Sequence, residues 1–531
     1  MVSWKEVNAL YQIYPRSFMD SNGDGVGDLR GIIERLDYIK GTYESLGVDA
    51  IWLSPFFTSP MKDHGYDVSD YRDVDPLFGT LADFRELLAK AHERDVRVMI
   101  DFVPNHSSDQ HEWFREALQS RDNSKRAYYV WRDPAPGGGP PNNWLSMFGG
   151  SAWEYDEASG QYYLHSFLKE QPDLNWDNPV LRNEMKDILR YWMEMGVDGF
   201  RADAVWCLSK DPEFRDNPRD PEYTGDPNSF GAFIHTYSKQ GLNLFAYLSE
   251  LTQTVDEFED RRIVFEYYAD SKFGSVYEQF RPFYTEIDNT VGLPFNFEGI
   301  HQNWSADSFG EFLRNFQEIM EPGDTPIYCF GNHDQTRIAS RYGEAQARLI
   351  ALMELTLPGL PTIYNGDEIG MVDGEVLPHQ IQDPSTSDEM GGRDPQRTPM
   401  QWDAGSGAGF TTGSPWLPVA SSYTERNVEQ QIHDDDSFLT LYATLLYLRR
   451  VDTVLIDGSF DLVDIVNNML VYQRSGDDRT YLIVLNFSDA ESDALVPYGD
   501  ILFMTNKQDV IEYREDGYIR MRPHSGVLVK L

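Results

Sequence analysis

The strongest constraint on this chain is an alternation in which short apolar segments are separated by amphipathic stretches of helical length. Eight candidate strands lie near Leu10–Tyr14, Ala50–Ser54, Arg97–Val103, Gly199–Val205, Ile263–Tyr267, Thr290–Phe297, Ile327–Phe330 and Thr362–Tyr364. Candidate helices follow them, at Leu29–Leu46, Leu81–Asp95 (with Thr80 as N-cap), Ala306–Met320, Glu344–Leu357 and Leu439–Arg450, while Leu181–Met195 runs into the fourth strand. Strand–helix alternation is the mark of βαβ units and a parallel sheet, and eight units predict a (β/α)₈ TIM barrel.

Three stretches break the alternation: 107–175, with Gly137-Gly138-Gly139-Pro140-Pro141 and many aromatics, then 208–247, then 372–436. The first reads as a subdomain inserted after the third strand. The barrel is thus expected over 1–106 and 176–450. From 451 to 531 strand-like runs (Met469–Gln473, Tyr481–Asn486, Tyr518–Met521) separated by Gly and Asp turns predict a C-terminal antiparallel β-sandwich domain. Long loops after barrel strands build active sites.

The fourth strand carries the most pointed local signal. In Val197-Asp198-Gly199-Phe200-Arg201-Ala202-Asp203-Ala204-Val205, Arg201 and Asp203 are spaced i, i+2, which places both on one side of a strand. Glu266 closes the apolar run Ile263-Val264-Phe265, and Asp334 follows Asn332-His333 after the seventh strand. His106 ends Asp101-Phe102-Val103-Pro104-Asn105-His106. Each acid alone is as readily a helix cap or an ion-pair partner. Three acids, two histidines and an arginine at strand ends of one barrel are hard to explain as packing. Glycoside hydrolysis needs one ionised and one protonated carboxyl, about 5 Å apart when configuration is retained. Arg201 is expected to keep Asp203 ionised, and the neighbours Phe265 and Tyr267 to favour neutral Glu266.

An early loop, Asp20-Ser21-Asn22-Gly23-Asp24-Gly25-Val26-Gly27-Asp28, parallels the opening of an EF-type loop but lacks a Glu at its twelfth position. Asp20, Asn22, Asp24, Val26 and Asp28 are the candidate ligands of a structural Ca²⁺ (or Mg²⁺); the alternative is a polar turn held by Asx bonds. No organic cofactor is expected.

Composition narrows the partners. A formal charge of −42, from 87 acidic against 45 basic residues of which only 12 are Lys, disfavours nucleic acid and anionic membranes. Such a surface is compatible with a high-salt habitat, but acidic bacterial enzymes are the commoner case. No run of 18 apolar residues occurs, and the start, Met1-Val2-Ser3-Trp4-Lys5-Glu6, has no signal-peptide pattern, so a cytoplasmic monomer or homodimer is expected. Cys207 and Cys329 read as buried free thiols.

Gln12-Ile13-Tyr14-Pro15-Arg16-Ser17-Phe18, Gly65-Tyr66-Asp67-Val68-Ser69-Asp70-Tyr71, Asp101…His106, Gly199…Asp203, Glu266 and Asn332-His333-Asp334 together resemble the motifs of the α-amylase family of glycoside hydrolases (glycoside hydrolase family 13), over nearly the whole chain. The resemblance implies Asp203 as nucleophile and Glu266 as acid/base. It makes Asp334 the acid that grips the distorted sugar, and His106 and His333 its hydrogen-bonding partners. Gln171-Pro172-Asp173-Leu174-Asn175, Gly392-Arg393-Asp394 and Arg397-Thr398-Pro399-Met400-Gln401-Trp402 are similar to the α-glucosidase and oligo-1,6-glucosidase branch. There Asp63 and Arg393 would pair to close the pocket, with Tyr66, Phe167 and Gln171 around the sugar. Ala204 after the nucleophile points by resemblance to α-1,4 linkages (maltose, short maltooligosaccharides, sucrose), where Val goes with α-1,6. Trp52 is expected in the core, and Trp402 is left open between core and sugar platform. Asn365-Gly366-Asp367-Glu368 departs from the branch's Gln-Gly-Glu-Glu, and no Arg-Leu-Asp-Arg-Asp isomerisation motif stands near Thr285–Thr290. An exo-acting α-glucosidase is the leading expectation. Oligo-1,6-glucosidase, a same-fold transglucosylase and, remotely, a non-enzymatic transporter heavy chain are its competitors.

Overall fold

A computed structural model describes the whole chain except residues 43, 386–391, 477, 507–511 and 514–516. Seven parallel strands form one sheet in the order Gly292–Pro294, Arg262–Phe265, Gly199–Ala202, Arg97–Phe102, Ala50–Leu53, Leu10–Ile13, Thr362–Tyr364. Each is buried along its length, as strands covered on both faces must be. The expected seventh strand contributes one residue to each edge: Tyr328 bridges Asn296 and Cys329 bridges Thr362, both parallel. These bridges join the first and last strands of the sheet and complete the eight-stave ring.

Helices cover the outside. Thr80 caps Leu81–His92 in a full capping box with Asp83, and Asn178 caps Pro179–Met195, which stops at Gly196 in the left-handed region (φ 115°). The helix expected over Leu29–Leu46 is instead two short ones, Leu29–Glu34 and Leu36–Ile39, because Arg35 leaves helical geometry (φ −101°, ψ 7°) as its guanidinium lies on Trp402. The loop expected over 208–247 ends earlier, in the helix Leu244–Asp256. The fourth strand stops at Ala202, short of Val205, and the sixth is trimmed to Gly292–Pro294. The excursion 372–436 lies partly outside the described residues.

Within 107–175 a small antiparallel sheet (Trp131–Arg132, Gln161–Leu164, Trp153–Asp156) packs its own cluster of Val130, Trp144, Ala152, Trp153 and Leu164. The bridge His106–Asp173 ties this piece back to the third strand's exit, and Tyr129–Leu174 joins its own two ends. The C-terminal region holds a five-stranded and a three-stranded antiparallel sheet around Met469, Val484, Ile519 and Val527. No helix among the described residues is long and apolar enough to cross a membrane.

Candidate active site

The strand ends meet beneath a cavity of about 380 Å³. Asp63, Tyr66, His106, Phe167, Asp203, Ala204, Glu266, Asp334 and Arg393 line it, and Gln171, Arg201 and His333 stand directly behind that wall. Twelve residues spread over 331 positions thus come to one mouth, because parallel strands all point their carboxyl ends the same way.

Arg201 is the centre of the charge network. The residue is 1% exposed, and Nη1 reaches Asp203 Oδ1 at 2.6 Å and Asp101 Oδ1 at 3.0 Å. Nη2 reaches Glu266 Oε1 at 2.6 Å. One planar fork therefore orients both candidate reacting carboxyls. Burial drives the Glu266 carboxyl well above its ordinary range; Arg201 opposes that rise and the charges of Asp203 and Asp334 add to it. Phe265 and Tyr267, expected to supply the apolar surroundings, instead pack their rings on Phe283 of the helix Arg281–Thr285. Alternation along the strand sends them to the opposite side from Glu266.

Asp334 behaves oppositely. Burial alone would raise its pKa, yet His333, Arg397, Arg393 and Arg201 hold it well below the usual carboxylate range. Arg397 bonds its Oδ1, with Arg393 Nη1 3.5 Å away. His333 is fixed from both nitrogens, by Gln12 (2.8 Å) and the Tyr66 hydroxyl (2.7 Å); burial pushes its pKa down while the charge of Asp334 opposes that fall.

Across the cavity Arg393 Nη2 binds Asp63 Oδ1 at 2.7 Å, and Gln171 spans Asp63 Oδ2 and His106 Nε2, each at 3.1 Å. Phe167 packs its ring against His106 and Phe148. Trp52 is buried in the barrel, and Trp402 is core, boxed by Phe18, Tyr38 and Arg35.

Three positions carry weight that motif reading did not assign. Asp101 shares Arg201 with Asp203, and burial lifts its carboxyl to about 7. It opens a run already singled out, so proximity in sequence could have flagged it. Arg397 stood inside a quoted motif with no role attached. Asp383 accepts from the Arg393 main-chain N–H (2.6 Å), from Nε (3.1 Å) and from Nη2 (2.7 Å). It sits in a loop without periodicity, ten residues before its partner, where no pattern marks it.

The Asp20–Asp28 loop lies apart from the cavity. Three successive Asx bonds run through it: Asn22 N–H to Asp20, Asp24 N–H to Asn22 and Val26 N–H to Asp24. Asp20 also accepts from Gly23, Gly25 and Thr411, and Asp28 caps the helix Leu29–Glu34 through Gly31. No group of three or more His, Cys, Asp or Glu side chains suited to a metal occurs among the described residues. The loop's own donor set includes an amide and a main-chain carbonyl, and its hard oxygens fit Ca²⁺ or Mg²⁺ chemistry.

Comparison with known proteins gives the frame for this geometry. The alpha amylase catalytic domain matches residues 12–458. The chain belongs to the alpha-amylase family. The oligo-1,6-glucosidase of Heyndrickxia coagulans is 40% identical, over 92% of this chain and 93% of the relative. Maltase 1 of Drosophila virilis is 38% identical, over 100% and 87%. Among solved structures, the alpha-glucosyl transfer enzyme XgtA superposes with a TM-score of 0.91 at 37% identity, covering 100% of both chains. A mutant of the trehalulose synthase MutB follows at 0.89 and 36%, again over 100% of both. The likeness spans barrel, insertion and C-terminal sheets alike.

Proposed function

We propose that this member of the alpha-amylase family is a retaining, exo-acting α-glucosidase that releases glucose from the non-reducing ends of short α-glucosides, α-1,4 links preferred. The carrying observation is the arrangement of a paired carboxyl set beside a closed wall. Asp203 and Glu266 share the Arg201 fork, and the Arg393–Asp63 pair shuts the pocket behind them. A shared fork favours the roughly 5 Å separation of a retaining pair over the roughly 6.5–9.5 Å of an inverting one.

In this reading Asp203 attacks the anomeric carbon while protonated Glu266 gives its proton to the leaving oxygen. Water then releases the glucosyl group from Asp203, with Glu266 as base. Asp334, His333 and His106 hold the sugar's hydroxyls. Asp203→Ala should lower kcat by about four orders of magnitude or more with the fold intact; near-normal turnover would end the assignment. Rates on maltose, isomaltose, sucrose and p-nitrophenyl α-glucoside, side by side, settle the linkage.

A second reading, glucosyl transfer to sugars or alcohols, is favoured by the close superposition on XgtA. Oligosaccharide products from maltose would mark transfer and free glucose hydrolysis. We further propose that Asp20, Asn22, Asp24, Asp28 and the Val26 carbonyl hold a structural divalent cation that ties the loop to Thr411. Cytoplasmic action, as monomer or homodimer, completes the proposal, supported by two buried cysteines left unpaired.

A further inference from the structure

A second cavity, of about 500 Å³, lies between the inserted piece, residues 174–177 and the start of the loop after the fourth strand. It is larger than the catalytic one and none of its lining residues lines the catalytic pocket. Four basic and three acidic side chains line it, which nearly cancel. In a chain of net charge −42 that balance is local, and it suits a neutral polar ligand better than an anion or a cation.

Hydrogen-bonding edges face it ready-made. The Arg132 guanidinium lies over Phe214, 3.6 Å from the ring centre, and donates one N–H to the Trp131 carbonyl. It has no ion-pair partner among the described residues. A guanidinium stacked in this way is pre-organised to give paired N–H groups to neighbouring hydroxyls. The exposed Asp122 carboxylate and the half-buried Asn123 side-chain NH₂ group, both on the cavity wall, accept and donate no bond within the described protein and stand open to solvent or a ligand. Donors, acceptors and ring edges around a cavity of this size are the chemistry that recognises a short oligosaccharide.

The cavity also touches the active site from behind. Its wall residue Lys210 pairs with Asp173 (2.7 Å) and donates to Asn105 (3.2 Å). Asn105 in turn meets His106 Nδ1 at 3.2 Å, and Asp173 is the bridge partner of His106. We infer that this cavity is a second, non-catalytic binding site for a neutral gluco-oligosaccharide, linked through Lys210, Asp173 and Asn105 to His106 of the catalytic pocket.

Calorimetric titration of full-length Glu266→Gln with maltotriose tests it, since that background is expected not to consume the probe. Two sites per chain are expected, falling to one in the added presence of either Arg132→Ala or Asp122→Ala. One site, or two, unaffected by both substitutions overturns the inference. Arg393→Ala in the same background reports on the catalytic pocket alone. A single site that responds to Arg132→Ala and Asp122→Ala but not to Arg393→Ala would uphold this cavity and count against the glucosidase reading, so the two failures are distinguishable.

Discussion

The main-chain N–H of Ala204 donates to Glu266 Oε2 across 2.7 Å, so the residue after the proposed nucleophile is bonded to the proposed acid. Ala204 lies in the left-handed region (φ 46°, ψ 37°) and lines the catalytic pocket. A β-branched side chain there is strained by about 1–3 kcal/mol. Ala204→Val is therefore expected to lower Tm by several degrees and to change the ratio of maltose to isomaltose turnover. Calorimetry and paired kinetics check the two effects. An unaltered ratio would remove residue 204 from linkage choice.

Glu266 gives the pH dependence its sign. Burial raises its folded pKa above the unfolded value, so the protonated acid persists to higher pH than a free carboxyl and is lost as pH rises through the folded value. Its stability contribution follows the same course, full below the unfolded pKa and disappearing on the alkaline side. The alkaline limb of kcat/KM should vanish in Glu266→Gln assayed on an activated aryl glucoside, whose leaving group needs no proton. Persistence of the limb would assign it to another group.

Asp334 predicts the acid side. Its folded pKa is depressed, so its stabilisation is present above the unfolded value and is lost as pH falls through the folded one. Asp334→Asn should flatten the acid limb of a Tm-against-pH curve relative to the parent chain.

Asp383 positions Arg393 through three of its N–H groups. Losing charge-assisted bonds of about 1.5–3 kcal/mol corresponds to roughly a ten- to hundredfold change in binding. Asp383→Ala should raise KM by about that factor with a smaller effect on kcat, and Asp383→Glu should restore part of it. An equal fall in kcat with unchanged KM would show a different role.

Cation removal and salt act on stability separately. Exchange into chelator should lower Tm by a few degrees, with recovery on adding Ca²⁺; an unchanged curve counts against a bound ion. Added NaCl should raise Tm in parent and chelated protein alike, because screening relieves the self-repulsion of 87 acidic residues.

The periodic parts of the molecule were legible from sequence. Buried parallel strands leave uninterrupted apolar runs, so the staves and the acids ending them stood out. Where a residue's role depends on a partner across the barrel, the chain carries no local trace. Asp383 holds Arg393 from an aperiodic loop, and Arg35 breaks a helix to meet Trp402, 367 positions away. The same limit explains Phe265 and Tyr267: adjacency to Glu266 in sequence means opposite faces in a strand. The Arg201–Glu266 contact belongs to this class, since only closure of the sheet brings the fourth and fifth strand ends together.

The ring is sewn shut by two single bridges, at Tyr328 and Cys329, whereas the fourth and fifth strands meet over four residue pairs. Asp203 and Glu266 hang from the woven part of this cloth and Asp334 from the seam. Warming should therefore loosen the grip on the sugar before it disturbs the reacting pair. The enzyme would lose its hold on substrate while its chemistry was still assembled, and inactivation would run ahead of unfolding.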